Sequence, residues 1–171
     1  MRRPVVGIMG GSAAEPWALE AAHRLGRLVA EAGWVVLTGG RPAGVMEAAS
    51  MGAKSVPGGI TIGILPGGPD GPVSAAVDIA VFTGIGEARN AINVLSSDVV
   101  VACGTGGAGT ASEVALALRL ARPTVLVAPS PEAAAFFRTL DAPGSLHEVD
   151  TPEAAVDLIE HRLRVARWAP R

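Results

Sequence analysis

The chain has 171 residues, 49% hydrophobic and 18% charged, a balance that supplies a sizeable core and excludes intrinsic disorder. Its net charge of −2 gives no general attraction for nucleic acid or anionic membrane, and its one cysteine, Cys103, excludes an intramolecular disulfide and a cysteine-built zinc site. The basic opening "MRRPVVGIMGGS" lacks the long apolar region of a signal peptide, so a cytoplasmic protein with one domain over 1–171 is expected.

Residues 5–9 read as a first strand that ends in "GGS". From 16 to 32 the period changes: Ala18, Ala21, Ala22, Leu25, Leu28, Val29 and Ala32 share one helical face, with Glu20, Arg24, Arg27 and Glu31 opposite. Gly33 stops that helix, and 34–37 forms a second strand running into "TGGRPAG". The helix over 44–54 is rich in small residues, Ala48, Ala49 and Ala53 among them, which suits close packing on a sheet.

Further strands are predicted at 60–65, 79–82, 99–102 and 124–127, and further helices at 87–95, 109–121 and 131–140. Thr151 and Pro152 stand as N-cap and first-turn residues of a final amphipathic helix. Continuous apolar strands alternating with helices predict an α/β fold: a Rossmann-like, doubly wound, mainly parallel sheet with helices on both faces. Such sheets bind ligands outside the C-terminal ends of their strands, where the glycine-rich turns of this chain gather.

"GTGGAGTASE", residues 104–113, admits three readings. A Walker A loop fails because its lysine is missing. Gly104, Gly106 and Gly109 satisfy G-x-G-x-x-G, but the motif comes late and the next strand ends in "LVAPS" without a ribose-binding acid. In the third reading, Gly106, Gly107 and Gly109 let backbone N–H groups converge on an anion at a helix N-terminus, Thr110 adds its hydroxyl, and Glu113 projects one turn further in. A nucleoside monophosphate places its ribose at about that distance from its phosphate.

These residues carry a resemblance. "GGAGTASE" is similar to the PGGxGTxxE motif of the LOG-type (LONELY GUY) family, often labelled lysine decarboxylases, and "GIMGGS", "GGRPAGVMEAASMGAK" and "TGIGEARNAINVLSSDVVVACG" extend the likeness over nearly the whole chain. The resemblance implies a Rossmann-like homodimer or larger homo-oligomer, with an α-helical interface, that binds a purine nucleoside monophosphate or a related phosphorylated small molecule. It implies hydrolysis of the N-glycosidic bond, with Arg89 and Glu113 as the catalytic pair. Thr105 replaces the motif's proline and Asn90 the lysine of the plant-type Arg-Lys pair. The "GEARN" form is closer to the branch that includes the molybdenum-cofactor carrier protein, which makes a non-catalytic carrier or sensor of a phosphorylated pterin or nucleotide the alternative.

Each residue also has a plainer reading. Glu113 can be a first-turn acid that favours the helix dipole. Arg89 can pair with Glu87 or Asp98 at the surface, although a planar fork suits phosphate or carboxylate. Gly10, Gly11, Gly39 and Gly40 can serve tight turns or nucleotide contact, with Ser12 as a hydroxyl donor and Met46 as core or base platform. Asn90, beside Arg89, joins the candidate nucleotide-binding set. His23, His147 and His161 lack ligand spacing, so no metal site and no cofactor are expected. A pyridoxal phosphate decarboxylase needs a Schiff-base lysine, and the only lysine, Lys54, stands apart from the glycine-rich turn.

Overall fold

The computed structural model describes residues 2–104, 107–141 and 144–168, with 165–168 described by backbone alone. β1 (Val5–Met9), α1 (Pro16–Glu31), β2 (Val35–Thr38), α2 (Gly44–Lys54) and β3 (Ile60–Leu65) alternate as the periodicity requires. β4 (Ile79–Phe82) follows without an intervening helix. Then come a 3₁₀ turn (Gly86–Arg89), α3 (Asn90–Ser96), β5 (Val99–Cys103), α4 (Ala108–Arg119), β6 (Thr124–Val127), α5 (Pro131–Leu140), β7 (Leu146–Val149) and α6 (Pro152–Trp168).

All seven strands are parallel, in the order β4-β3-β2-β1-β5-β6-β7. The chain winds outward from β1 in one direction and from β5 in the other, so the topological switch lies between these two central strands. Side-chain alternation sorts the core into two layers. Val6 and Ile8 of β1 join Leu25, Val29, Val45, Ala49 and Ile159 beneath α1, α2 and α6. Met9, Leu37 and Val100 pack with Val94 and Ala117 under α3 and α4, and Leu118, Leu126 and Phe137 continue that layer to α5.

The small residues of α2 do more than sit on the sheet. A Cβ added at Gly26 of α1 would overlap the Ala49 carbonyl, and one added at Gly52 of α2 would overlap the His23 carbonyl, so the two helices touch backbone to backbone. Thr151 caps α6 as expected, its Oγ1 accepting the Ala154 N–H at 3.2 Å.

The structure departs from the periodicity in a few places. The segment predicted as one helix over 87–95 divides into the 3₁₀ turn, which ends at Arg89, and α3. β7 has no counterpart in the sequence reading because "LHEV" is a half-exposed strand at the sheet's edge, without a continuous apolar run. α4 ends at Arg119, two residues early, where Leu120 and Ala121 close back on the last turn. Among the described residues no helix is long and apolar enough to cross a membrane.

Candidate functional site

A cleft of about 220 Å³ opens at the C-terminal edge of the sheet, at the switch between β1 and β5. Four segments meet there. The turn after β1 brings Gly10, Gly11 and Ser12; the turn after β2 brings Gly39, and α2 brings Met46. The 3₁₀ turn and α3 present Arg89 and Asn90, and α4 presents Gly109, Thr110 and Glu113.

Two helix pairs with three-residue spacing set the floor. Asn90 and Asn93 lie on one face of α3, and Thr110 and Glu113 on the facing side of α4. Asn93 Nδ2 donates to Glu113 Oε1 at 2.6 Å, and Asn90 Nδ2 meets Ser112 Oγ at 3.2 Å. Arg89 comes down over this floor with Nη1 4.0 Å from Glu113 Oε1, an ion pair without a hydrogen bond. Arg89, Asn93, Thr110 and Glu113 are all buried.

Burial governs both charges. It pushes the Glu113 carboxyl above the usual range, and the Asn93 hydrogen bond and the Arg89 charge only partly offset it. It lowers the Arg89 guanidinium, against the pull of Glu113 and Glu87. Of three buried side-chain atoms without a partner among the described residues, two belong to this cluster: Arg89 Nε and Asn93 Oδ1. Leaving a buried donor or acceptor unmatched costs about 1–3 kcal/mol, and more for a charged group.

Gly39 makes room for the arginine. A Cβ there would stand 2.5 Å from Arg89 Nη1 and 2.6 Å from Met46 Sδ. Gly107 is the N-cap of α4 at φ 84, a left-handed conformation that a side chain rarely adopts. It does not line the cleft, and Gly106 and Thr105 lie outside the described residues. Gly40 does not line the cleft either, and a Cβ added to it would come 2.9 Å from Gly63 Cα.

The plainer readings of the charged pair give way. Glu113 stands in the second turn of α4 and is buried, so it is no exposed first-turn acid. Arg89 faces Glu113, whereas Glu87 meets Arg41 and Asp98 meets Arg2. Met46 is both core and cleft wall. Lys54 is bound to Asp78 at 2.7 Å and to the Gly59 carbonyl at 3.0 Å, and does not line the cleft. Among the described residues no group of three or more His, Cys, Asp or Glu is placed to hold a metal.

Sequence reasoning missed Asn93, Arg41 and Glu87. Asn93 had a usable signal: it is a polar residue three positions after Asn90 in the otherwise apolar stretch "AINVL". Arg41 follows the Gly39-Gly40 turn directly and Glu87 precedes Arg89 by two, but nothing local joins them.

Residues 3–156 match the model of the SLOG cluster4 family. The chain belongs to the SLOG cluster4 family. Among solved structures, this SLOG cluster4 protein is similar to the molybdenum cofactor binding protein of the phototrophic bacterium Rippkaea orientalis. That likeness has 50% identity and a TM-score of 0.90 over 95% of this chain and 99% of the other. It is also similar to the molybdenum cofactor carrier protein of Chlamydomonas reinhardtii, at 45% identity and a TM-score of 0.86 over 95% and 99% of the two chains. An uncharacterised protein of Archaeoglobus fulgidus is 42% identical over 119 residues, 70% of this chain and 76% of that one. The LOG-type resemblance read from "GGAGTASE" and "GEARN" therefore holds, on the branch that includes molybdenum cofactor carriers.

Proposed function

We propose that this protein binds a phosphorylated pterin, with the molybdenum cofactor as its cargo, and carries it without cleaving it. The observation that carries the reading is the buried Arg89 guanidinium, its Nε unmatched, beside the N-terminus of α4 in a cleft at the topological switch. A ligand oxygen supplies the missing acceptor, and a phosphate suits both the fork of an arginine and the free N–H groups at a helix start. The choice of a pterin over other phosphorylated molecules is supported by the two solved relatives, whose names state that cargo. In this scheme Gly109 and Thr110 cradle the phosphate, and Met46 and Met9 offer the apolar wall against which a flat ring packs.

A second reading, hydrolysis of a nucleoside 5′-monophosphate, is favoured by one observation. Glu113 is a buried carboxylate with a raised pKa, 4.0 Å from an arginine, an arrangement suited to activating water or steadying an oxocarbenium-like ribose. One experiment separates the two. Purified protein is incubated with molybdenum cofactor, desalted and assayed for retained molybdenum and pterin, and in parallel incubated with AMP and assayed for adenine and ribose 5-phosphate. Retention without adenine release is expected. Adenine release that falls roughly 10²-fold in Glu113→Gln would establish the hydrolase instead.

A further inference from the structure

Arg41 and Glu87 face each other at the mouth of the cleft, and neither is absorbed by the buried cluster. Arg41 leaves the β2 turn, Glu87 leaves the 3₁₀ turn, and Arg41 Nη2 stands 3.3 Å from Glu87 Oε1. Their side chains are 40% and 65% exposed, against 6% and 8% for Arg89 and Glu113. We infer that Arg41 is a further ligand-binding residue, held in reserve by Glu87 and transferred to the phosphate of an incoming phosphate monoester. This rests on the reading that the cleft takes a phosphorylated ligand.

Size, charge balance and interaction strength each bear on it. The enclosed volume of about 220 Å³ is below the roughly 300–1,000 Å³ of sites that bury a whole drug-sized ligand. Part of a pterin or nucleotide phosphate must then occupy the mouth, within reach of the rim. Two arginines and two glutamates line the cleft, so their formal charges cancel, and the pull on an anion depends on which guanidinium is free to turn toward it rather than on net charge.

Exposed ion pairs of this kind contribute little to stability, so parting them is easy. A guanidinium–phosphate contact is charge-assisted and can be bidentate, hence the stronger of the two. Arg41 changes partner when the ligand carries enough charge to compete with Glu87. A ligand without phosphate leaves the pair in place. The rim thereby selects phosphorylated ligands over their neutral counterparts.

The test is calorimetric titration of wild type, Arg41→Ala, Glu87→Gln and the double variant with a pterin phosphate ester and with the same pterin lacking phosphate. Glu87→Gln should tighten binding of the ester by roughly 3-fold or more, because Arg41 no longer has to leave a partner. Arg41→Ala should weaken it by roughly 3–10-fold in the wild-type background, and by a larger factor when Glu87 is already Gln. The phosphate-free pterin should not respond to either change.

Purely additive effects would overturn the exchange, since a stationary Arg41 gives no coupling. Unchanged affinity in Arg41→Ala, or an equal loss for the phosphate-free pterin, would overturn the contact, while binding of the ester by wild type would leave the carrier reading standing. If wild type binds no ester at all, both fall. Matching thermal melting of the four proteins shows that folding is not what is being measured.

Discussion

Asp98 and Glu113 stand at opposite ends of the β1–β5 seam, and the two carboxylates are treated in opposite ways. At the N-terminal edge Asp98 accepts the Val5 N–H at 2.8 Å and the Arg2 guanidinium at 2.8 Å. Burial alone would raise its pKa, but those hydrogen bonds and the charge of Arg2 bring it below the usual range. At the C-terminal edge Glu113 is more deeply buried, has one hydrogen bond, from Asn93, and an arginine at 4.0 Å, and its pKa is raised. One end saturates its charge with the chain's own donors. The other leaves a guanidinium Nε and an amide oxygen unmatched, the kind of perturbed cluster that functional clefts collect.

The contrast breaks first at Arg89. Arg89→Ala should lower affinity for a phosphorylated pterin by roughly 10²-fold or more, since it removes the fork and leaves Glu113 buried without a counter-charge. Calorimetric affinity within about threefold of wild type would mean that the cluster serves the fold, as Asp98 does.

Asp98→Ala should do the reverse, costing about 2 kcal/mol of stability at pH 7 with ligand affinity unchanged. Because the folded pKa of Asp98 is depressed, its contribution is present above the unfolded value near 3.8 and is lost as pH falls through the folded one. The deficit seen by urea denaturation should therefore narrow at acid pH. A deficit that stays constant would remove the electrostatic account.

Gly39→Ala should weaken ligand binding by roughly 10-fold, because its Cβ takes the space of Arg89 Nη1 and Met46 Sδ, both ends of side chains that can shift. Binding at wild-type strength would show that Arg89 has room to spare.

The smallest effect is a displacement in pH. Asn93→Leu removes the donor that holds the Glu113 carboxyl down, so its titration, followed by carboxyl NMR, should move to higher pH. For a group with a raised folded pKa, the stabilisation is full below the unfolded value and fades as pH rises through the folded one. That fading should also move upward in the variant. A midpoint unchanged or lowered would leave Asn93 as packing alone.

Much of this was legible in the chain. Val5–Met9 and Ile60–Leu65 announce themselves as continuous apolar runs, and the glycine turns after them mark the ligand edge before any packing is known. Arg89, Glu113, Gly39 and Thr110 were found through a motif likeness and converge in one cleft. Gly40 and Gly107 carried the same signal without lining it, because a glycine required by close packing or by a left-handed turn is written like one required by a ligand.

The sequence by itself determined the alternation of strand and helix, the parallel sheet, and the position of the glycine-rich turn that starts α4, since each depends on periodicity or turn chemistry within a few residues. Tertiary structure alone decided that Asn93 holds Glu113 across 20 residues of chain, that Arg41 meets Glu87 across 46, and that "LHEV" joins the sheet. Those outcomes depend on how crossovers lay one element against another. A side chain's partner across such a gap is set by the packing of α3 on α4, or of one sheet-edge turn beside the next, and local pattern does not encode it.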